Sequence, residues 1–278
     1  MERHCEEQAS VVLAGLSIGY KTRRGERIVA SDINASIREG ELTCLLGRNG
    51  AGKSTLLRTL SGFQPKLGGS ITIGGRELDD YADRELAQQV SVVLTERPDV
   101  QQMTVRELVA LGRSPYTGFW GRLNDEDERQ VDDAITLVGI TALAQRLVTT
   151  LSDGERQKVM IAKALAQQTP IISLDEPTAF LDYPSKVETL LLLRRICREA
   201  RKTVFLSTHD MELALQVADR LWLMDADEGI AIGTPHELAD KGLLGRFLES
   251  GGNGVHFHAD TLSITVSNAD SSCRDVKE

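Results

Sequence analysis

The sequence predicts an α/β fold, with a mixed sheet at its core, an antiparallel β region ahead of that core and an α-helical subdomain inserted within it. Three observations carry the prediction. An apolar run, Leu42-Thr-Cys-Leu-Leu46, passes through a Gly-rich turn directly into helical sequence from Lys53 to Leu60. Strand and helix patterns alternate from Ile171 to Met224, the order in which a parallel sheet is built. Between these two stretches apolar residues recur at three and four spacing, the period of a helix with one buried face.

Taken in order, Val11 to Tyr20 and Ile28 to Ile37 are short, partly alternating and broken by Gly and charge, as in antiparallel strands. From about Asp83 to Gln168 the helical period dominates, in Val105 to Leu111, Asp125 to Val138 and Asp153 to Ala166, and the inserted subdomain is placed at about 97–168. The acidic run Asp125 to Glu128 is read as the first turn of a helix capped by Asn124, where carboxylates suit the helix dipole, rather than as a metal site. Alternation then resumes with strand Ile171 to Leu174, helix Ser185 to Ala200, strand Thr203 to Ser207, helix Met211 to Ala218 and strand Arg220 to Met224.

The 278 residues are 41% hydrophobic and 26% charged, enough for a full core. A net charge of -9 has the wrong sign for a protein that lives on phosphate backbones, so no nucleic-acid partner is expected. Cys5, Cys44, Cys197 and Cys273 stand far apart without a CxxC pair, which suits a reducing compartment. No run approaches the roughly 18 apolar residues needed to cross a bilayer, so work at a membrane would need a spanning partner.

Gly47-Arg48-Asn49-Gly50-Ala51-Gly52-Lys53-Ser54, followed by Thr55, matches the phosphate-binding loop between a strand and a helix, which predicts a P-loop ATPase core. Glycines let backbone N–H groups turn toward a phosphate, Lys53 reaches the β and γ oxygens, and the Ser54 hydroxyl is placed to ligate Mg²⁺. Ile171-Ile-Ser-Leu-Asp175-Glu176 then puts two carboxylates at the end of an apolar strand, the sheet edge where ligands sit. Asp175 is expected to hold Mg²⁺ and Glu176 to polarise the attacking water.

Leu151-Ser152-Asp153-Gly154-Glu155-Arg-Gln157 resembles the signature motif of ATP-binding cassette proteins, in the LSDGE form rather than LSGGQ. The resemblance covers roughly Ala9 to Phe247. It implies that Ser152, Asp153, Gly154 and Glu155 face ATP held by a second copy of the chain, that Ala179-Phe-Leu-Asp182 contains a dimer contact at Asp182, and that His209 in Ser207-Thr-His-Asp is a switch residue at the γ-phosphate. Lys53, Glu176 and His209 are the implied catalytic residues, Tyr20 the aromatic stacked on adenine, and Glu96, at the end of a strand Ser91-Val-Val-Leu-Thr-Glu96, the stand-in for the family's loop glutamine as a third metal ligand. Gln101 or Gln102 could supply that amide instead.

Within the family, Met103 to Tyr116 most resembles the cassettes of importers for ferric siderophores, haem and cobalamin. The resemblance implies a homodimer using ATP and Mg²⁺, docked on two copies of an integral membrane permease, with a periplasmic substrate-binding protein acting indirectly. It places the chain peripherally on the cytoplasmic face of a bacterial inner membrane. The stretch from Arg106 to Tyr116, including Arg113, is expected to touch the permease. A soluble ATPase of Fe–S assembly is the alternative. Residues 1–250 are assigned to the ATPase domain and 251–278 to a tail, in which Val255 to Ala259 and Thr261 to Ser267 alternate as in a short hairpin with His256 and His258 on one face.

Overall fold

The computed structural model describes residues 9–23, 25–95, 100, 102–118, 121–225, 229–249 and 255–266. Strand β1 (Ala9–Thr22) pairs antiparallel with β2 (Gly25–Arg38), and β3 (Leu42–Gly47) then opens a second sheet before helix α1 (Lys53–Leu60). β4 (Gly68–Ile73) and β5 (Arg76–Glu77) return to the first sheet, which has the order β2-β1-β4-β5. Period two is visible along β1, where Val11 and Leu13 are buried and Val12 between them is exposed.

After α2 (Asp83–Leu86), strand β6 (Val90–Val93) joins the second sheet. It overlaps the strand read at Ser91 to Glu96, inside a stretch where the helical period otherwise dominates. The other strands of that sheet are β7 (Ile171–Leu174), β8 (Thr203–Thr208), β9 (Arg220–Asp225) and β10 (Gly229–Gly233), in the order β10-β9-β3-β8-β7-β6. β10 runs antiparallel to β9, and the remaining neighbours are parallel. The sheet divides the core in two. Cys44, Val204, Leu206, Leu221 and Leu223 face one cluster, while Leu45, Phe205, Trp222 and Met224 face the other, against α1 and the antiparallel sheet. Phe205 and Trp222 meet edge to face at 4.9 Å, and each fully buried large apolar side chain contributes roughly 1.5–3 kcal/mol.

The inserted helices are α3 (Val105–Ala110), α4 (Asp125–Val138) and α5 (Asp153–Ala166). Asn124 caps α4 by accepting the Glu126 and Asp127 N–H groups at 2.9 Å each. Val131, Ala134, Ile135 and Val138 then form its buried stripe. Asp127 is itself buried and pairs with Arg113, whose Nε donates to Asp127 Oδ1 at 2.9 Å and whose Nη1 donates to the Ala166 carbonyl at 2.8 Å. Burial pushes the Asp127 carboxyl up, but the Asn124 backbone bond and the Arg113 guanidinium outweigh it and hold the group below its ordinary value. Arg113 is therefore a joint inside the helical subdomain, tying α4 to the end of α5, and not the surface contact expected of it. Arg106 lies at the surface and pairs with Glu128 and Asp132.

The chain continues through α6 (Tyr183–Ala200), α7 (Met211–Val217), α8 (Pro235–Asp240) and α9 (Leu243–Glu249) to the hairpin β11 (Val255–His258) and β12 (Ser263–Val266). Phe257, Leu262 and Ile264 pack on the larger cluster, while His256 and His258 are exposed and His258 Nε2 lies 2.9 Å from Thr265 Oγ1. Among the described residues no group of three or more His, Cys, Asp or Glu side chains gathers as a metal site, and no helix is long and apolar enough to cross a membrane.

Candidate active site

The site lies at the carboxyl ends of β3, β7 and β8, where a parallel sheet leaves its crevice. β3 ends at Gly47, and the chain turns through Gly50 and Gly52, both at positive φ. At Gly52 a side chain is doubly excluded, since φ is +107° and an added Cβ would stand 2.4 Å from Val29 Cγ1. Ala51 N–H donates to the Arg48 carbonyl at 3.1 Å, closing the turn, and α1 starts at Lys53 with its N-terminal N–H groups aimed at the crevice.

Lys53 is buried, and its Nζ donates to the Gly47 carbonyl at 3.0 Å and reaches the Arg48 carbonyl at 3.5 Å. His209 Nε2 lies 3.3 Å from the same ammonium, and Glu176 Oε1 lies 4.0 Å away. Burial lowers the Lys53 pKa, with the Glu176 and Asp175 carboxylates opposing it. His209 Nε2 and Glu176 Oε1 are 2.5 Å apart. Glu176 holds a left-handed φ of 49°, a conformation that costs a non-glycine residue about 1 kcal/mol or more.

A chain of hydrogen bonds fixes the Asp175 carboxylate and the Glu176 backbone. Glu176 N–H donates to Ser207 Oγ at 2.9 Å, Ser207 donates to Asp175 Oδ1 at 2.7 Å, and Ser54 Oγ donates to the same oxygen at 3.1 Å. Thr95 Oγ1 donates to the Asp175 carbonyl at 2.7 Å. The two hard oxygens of Ser54 and Asp175 thus converge at one point, the donor type that suits Mg²⁺.

Beside them is a cavity of about 450 Å³ lined by Tyr20, Arg27, Val29, Asn49, Thr55 and Glu176 together with the loop glycines, Lys53 and Ser54. The Tyr20 ring is 45% exposed, enough to offer a face, and its hydroxyl lies 3.0 Å from Thr55 Oγ1. An arrangement of one buried cation, backbone N–H groups at a helix start, a hard-oxygen pair and a carboxylate beside a histidine can hold a nucleoside triphosphate and activate water against its last phosphate.

The sequence profile of the ABC transporter family matches residues 30–179, more than half of the chain. The chain belongs to the ABC transporter family. This ABC ATPase is 40% identical over 226 residues to an uncharacterized ABC transporter ATP-binding protein of Methanocaldococcus jannaschii, covering 81% of this chain and 77% of that one. It is 37% identical over 231 residues to the ferric enterobactin transport ATP-binding protein FepC of Escherichia coli K12, covering 83% and 84% of the two chains. Among solved structures it resembles a dimeric ATP-binding cassette in a post-hydrolysis state with ADP and Pi bound, with TM-score 0.69, 26% identity and coverage of 81% and 98%. The ABC ATPase fold is therefore the framework that positions the site.

The structure also locates the signature residues of this ABC ATPase. Ser152 caps α5, its Oγ accepting the Glu155 N–H at 3.2 Å while its own N–H donates to Glu155 Oε2 at 2.9 Å. Asp182 caps α6 by accepting the Ser185 N–H at 3.1 Å. The two helix starts adjoin, since a Cβ on Gly154 would stand 3.1 Å from Ser185 Oγ. Ser152 and Gly154 are not among the residues lining the phosphate-loop cavity. Asp153 lines a separate small cavity with Asp175 and Glu176.

Glu96 and Gln101 lie outside the described residues. Gln102 is exposed and lines a hollow with Met103 and Leu123, away from the phosphate loop. Sequence reasoning gave no role to Ser207, Thr95, Arg27 or Val29. Ser207 stands inside the quoted Ser-Thr-His-Asp motif, and its position two before the histidine on a buried strand was the available signal; the others are brought in by the sheet and carry none.

Proposed function

We propose that this ABC ATPase is the motor of an importer for a metal chelate, the class of ferric siderophores, haem and cobalamin. It works as a homodimer on two copies of a separate membrane permease fed by a periplasmic binding protein, at the cytoplasmic face of a bacterial inner membrane. Lys53, Ser54 and the loop N–H groups bind ATP, Ser54 and Asp175 hold Mg²⁺, and Glu176 and His209 act on the attacking water and γ-phosphate. The observation that carries the dimer is the division of the site: Ser152 and Gly154 lie at the start of a helix outside the cavity that contains Lys53. A second copy placed head to tail brings such a helix start, with its Ser hydroxyl and N–H groups, to the open side of the phosphates. The substrate class is supported by likeness to the ferric enterobactin transport protein over 83% of this chain.

The test is uptake. A strain lacking this gene should lose accumulation of one labelled chelate, siderophore-bound iron, haem or cobalamin, and regain it with the wild-type chain but not with Glu176→Gln. Unchanged uptake of all three classes in the deletion strain would remove the importer reading.

A further inference from the structure

The hairpin of β11 and β12 sets two histidines on one face. Successive side chains of a strand alternate sides, so Val255 and Phe257 turn inward while His256 and His258 stand out in solvent. At about 3.4 Å per residue their Cα atoms lie about 6.8 Å apart, a spacing at which two imidazoles can close on one ion from the same side. The register decides what surrounds them: His256 stands opposite Thr265 and His258 opposite Ser263, so their cross-strand neighbours are hydroxyls without charge.

The strand that carries the pair is anchored. Phe257, Leu262 and Ile264 pack on the larger cluster, and the Phe257 N–H donates to Glu249 Oε1 at 3.5 Å. One of the two rings is also oriented, since His258 Nε2 lies 2.9 Å from Thr265 Oγ1, a diagonal contact between the strands. With Nε2–H donating to that hydroxyl, the ring's lone pair is on Nδ1. Histidines that hold metals are arranged in this way, with one nitrogen on the ion and the other on a hydrogen-bond partner that fixes the ring.

We propose that His256 and His258 form a binding site for a divalent transition ion of the Zn²⁺, Ni²⁺ and Cu²⁺ class. Imidazole nitrogen suits these ions, whereas Mg²⁺ and Ca²⁺ call for oxygen ligands, so the site is chemically separate from the Ser54 and Asp175 oxygens. Among the described residues no third His, Cys, Asp or Glu side chain gathers with the pair, and the remaining coordination positions fall to solvent. A structural zinc is closed by four protein ligands. An ion held by two exchanges with its surroundings, which is the behaviour of a sensing or loading site and not of a brace. The site does not rest on the importer reading.

The test uses the full chain, stripped of metal and titrated with Zn²⁺ against a chromophoric chelator with Mg²⁺ in excess. His256→Gln and His258→Gln should each weaken Zn²⁺ binding at least about tenfold, and Thr265→Val, which keeps shape and removes the hydroxyl, about tenfold with both rings still present. These side chains face solvent and lie outside the nucleotide cavity, so all three variants should hydrolyse ATP at the wild-type rate, which shows that they fold. Substoichiometric Cu²⁺, which is paramagnetic, should broaden the ring NMR signals of His256 and His258 and spare His236. Undiminished Zn²⁺ binding by the variant carrying both His→Gln changes, or Cu²⁺ broadening confined to His209 or His236, overturns the site. Undiminished binding by Thr265→Val overturns its part in orienting His258.

Discussion

The Ser207 hydroxyl accepts from Glu176 N–H and donates to Asp175 Oδ1, so one side chain fixes both the carboxylate assigned to metal and the backbone of the residue assigned to water. It acts through Glu176 and Asp175, and its part is positioning. Removing it leaves the Glu176 N–H without its partner at a residue already held at positive φ, a change of about 1.4 kcal/mol, or tenfold in rate. Ser207→Ala is expected to lower kcat about tenfold and leave the KM for ATP within about twofold, with Ser207→Thr recovering most of the rate because it keeps the hydroxyl. Steady-state ATPase kinetics decide the matter; full kcat in the Ala variant would remove Ser207 from the network that orders the site. The phosphate loop and the Asp175-Glu176 pair were legible because their chemistry is local, fixed by glycines and by the end of one apolar strand. Ser207 was not, because its partners lie on a different strand and become neighbours only when the sheet forms.

At the scale of elements, the helical subdomain depends on the Arg113–Asp127 pair, which joins the first turn of α4 to the last carbonyls of α5. Arg113→Met keeps length and removes charge, leaving Asp127 buried with one of its stabilising partners gone. The variant is expected to lose about 3 kcal/mol at neutral pH, read from urea unfolding midpoints. The sign of the pH dependence follows from Asp127. Its folded pKa lies below the ordinary 3.8, so in the wild type its stabilisation is complete above that value and fades as pH falls through the lower folded one. In Arg113→Met the unpaired carboxyl is relieved by taking up a proton, so the gap to wild type should narrow in acid; a gap independent of pH would assign the loss to packing. The caps of α4 and α5 were readable from Asn124 and Ser152, since a cap is written within four residues. β6 was legible as a short apolar run inside otherwise helical sequence, whereas the place of Arg113 was hidden because burial of an arginine is decided by the helix that covers it.

For the whole molecule, the parallel order of the second sheet was expected from alternation, whereas the return of β4 and β5 to the first sheet was not, since pairing across 51 to 62 residues leaves no local mark. The proposed division of the site between two copies makes nucleotide state a determinant of assembly. Glu176→Gln, which keeps shape and loses the base, is expected to hydrolyse ATP at least ~10²-fold more slowly. With ATP and Mg²⁺ it should elute as a dimer, and with ADP as a monomer, in size-exclusion chromatography with light scattering. A monomer under both conditions would remove the shared site. Helix α5 adds a mechanical corollary. Ser152 at its cap and Lys163 in its last turn stand roughly 16 Å apart along one axis at 1.5 Å per residue, and Val159, Ile161 and Ala162 between them are fully buried. Clamped along its middle, the helix has no slack, so a displacement at one of its ends arrives at the other at full length.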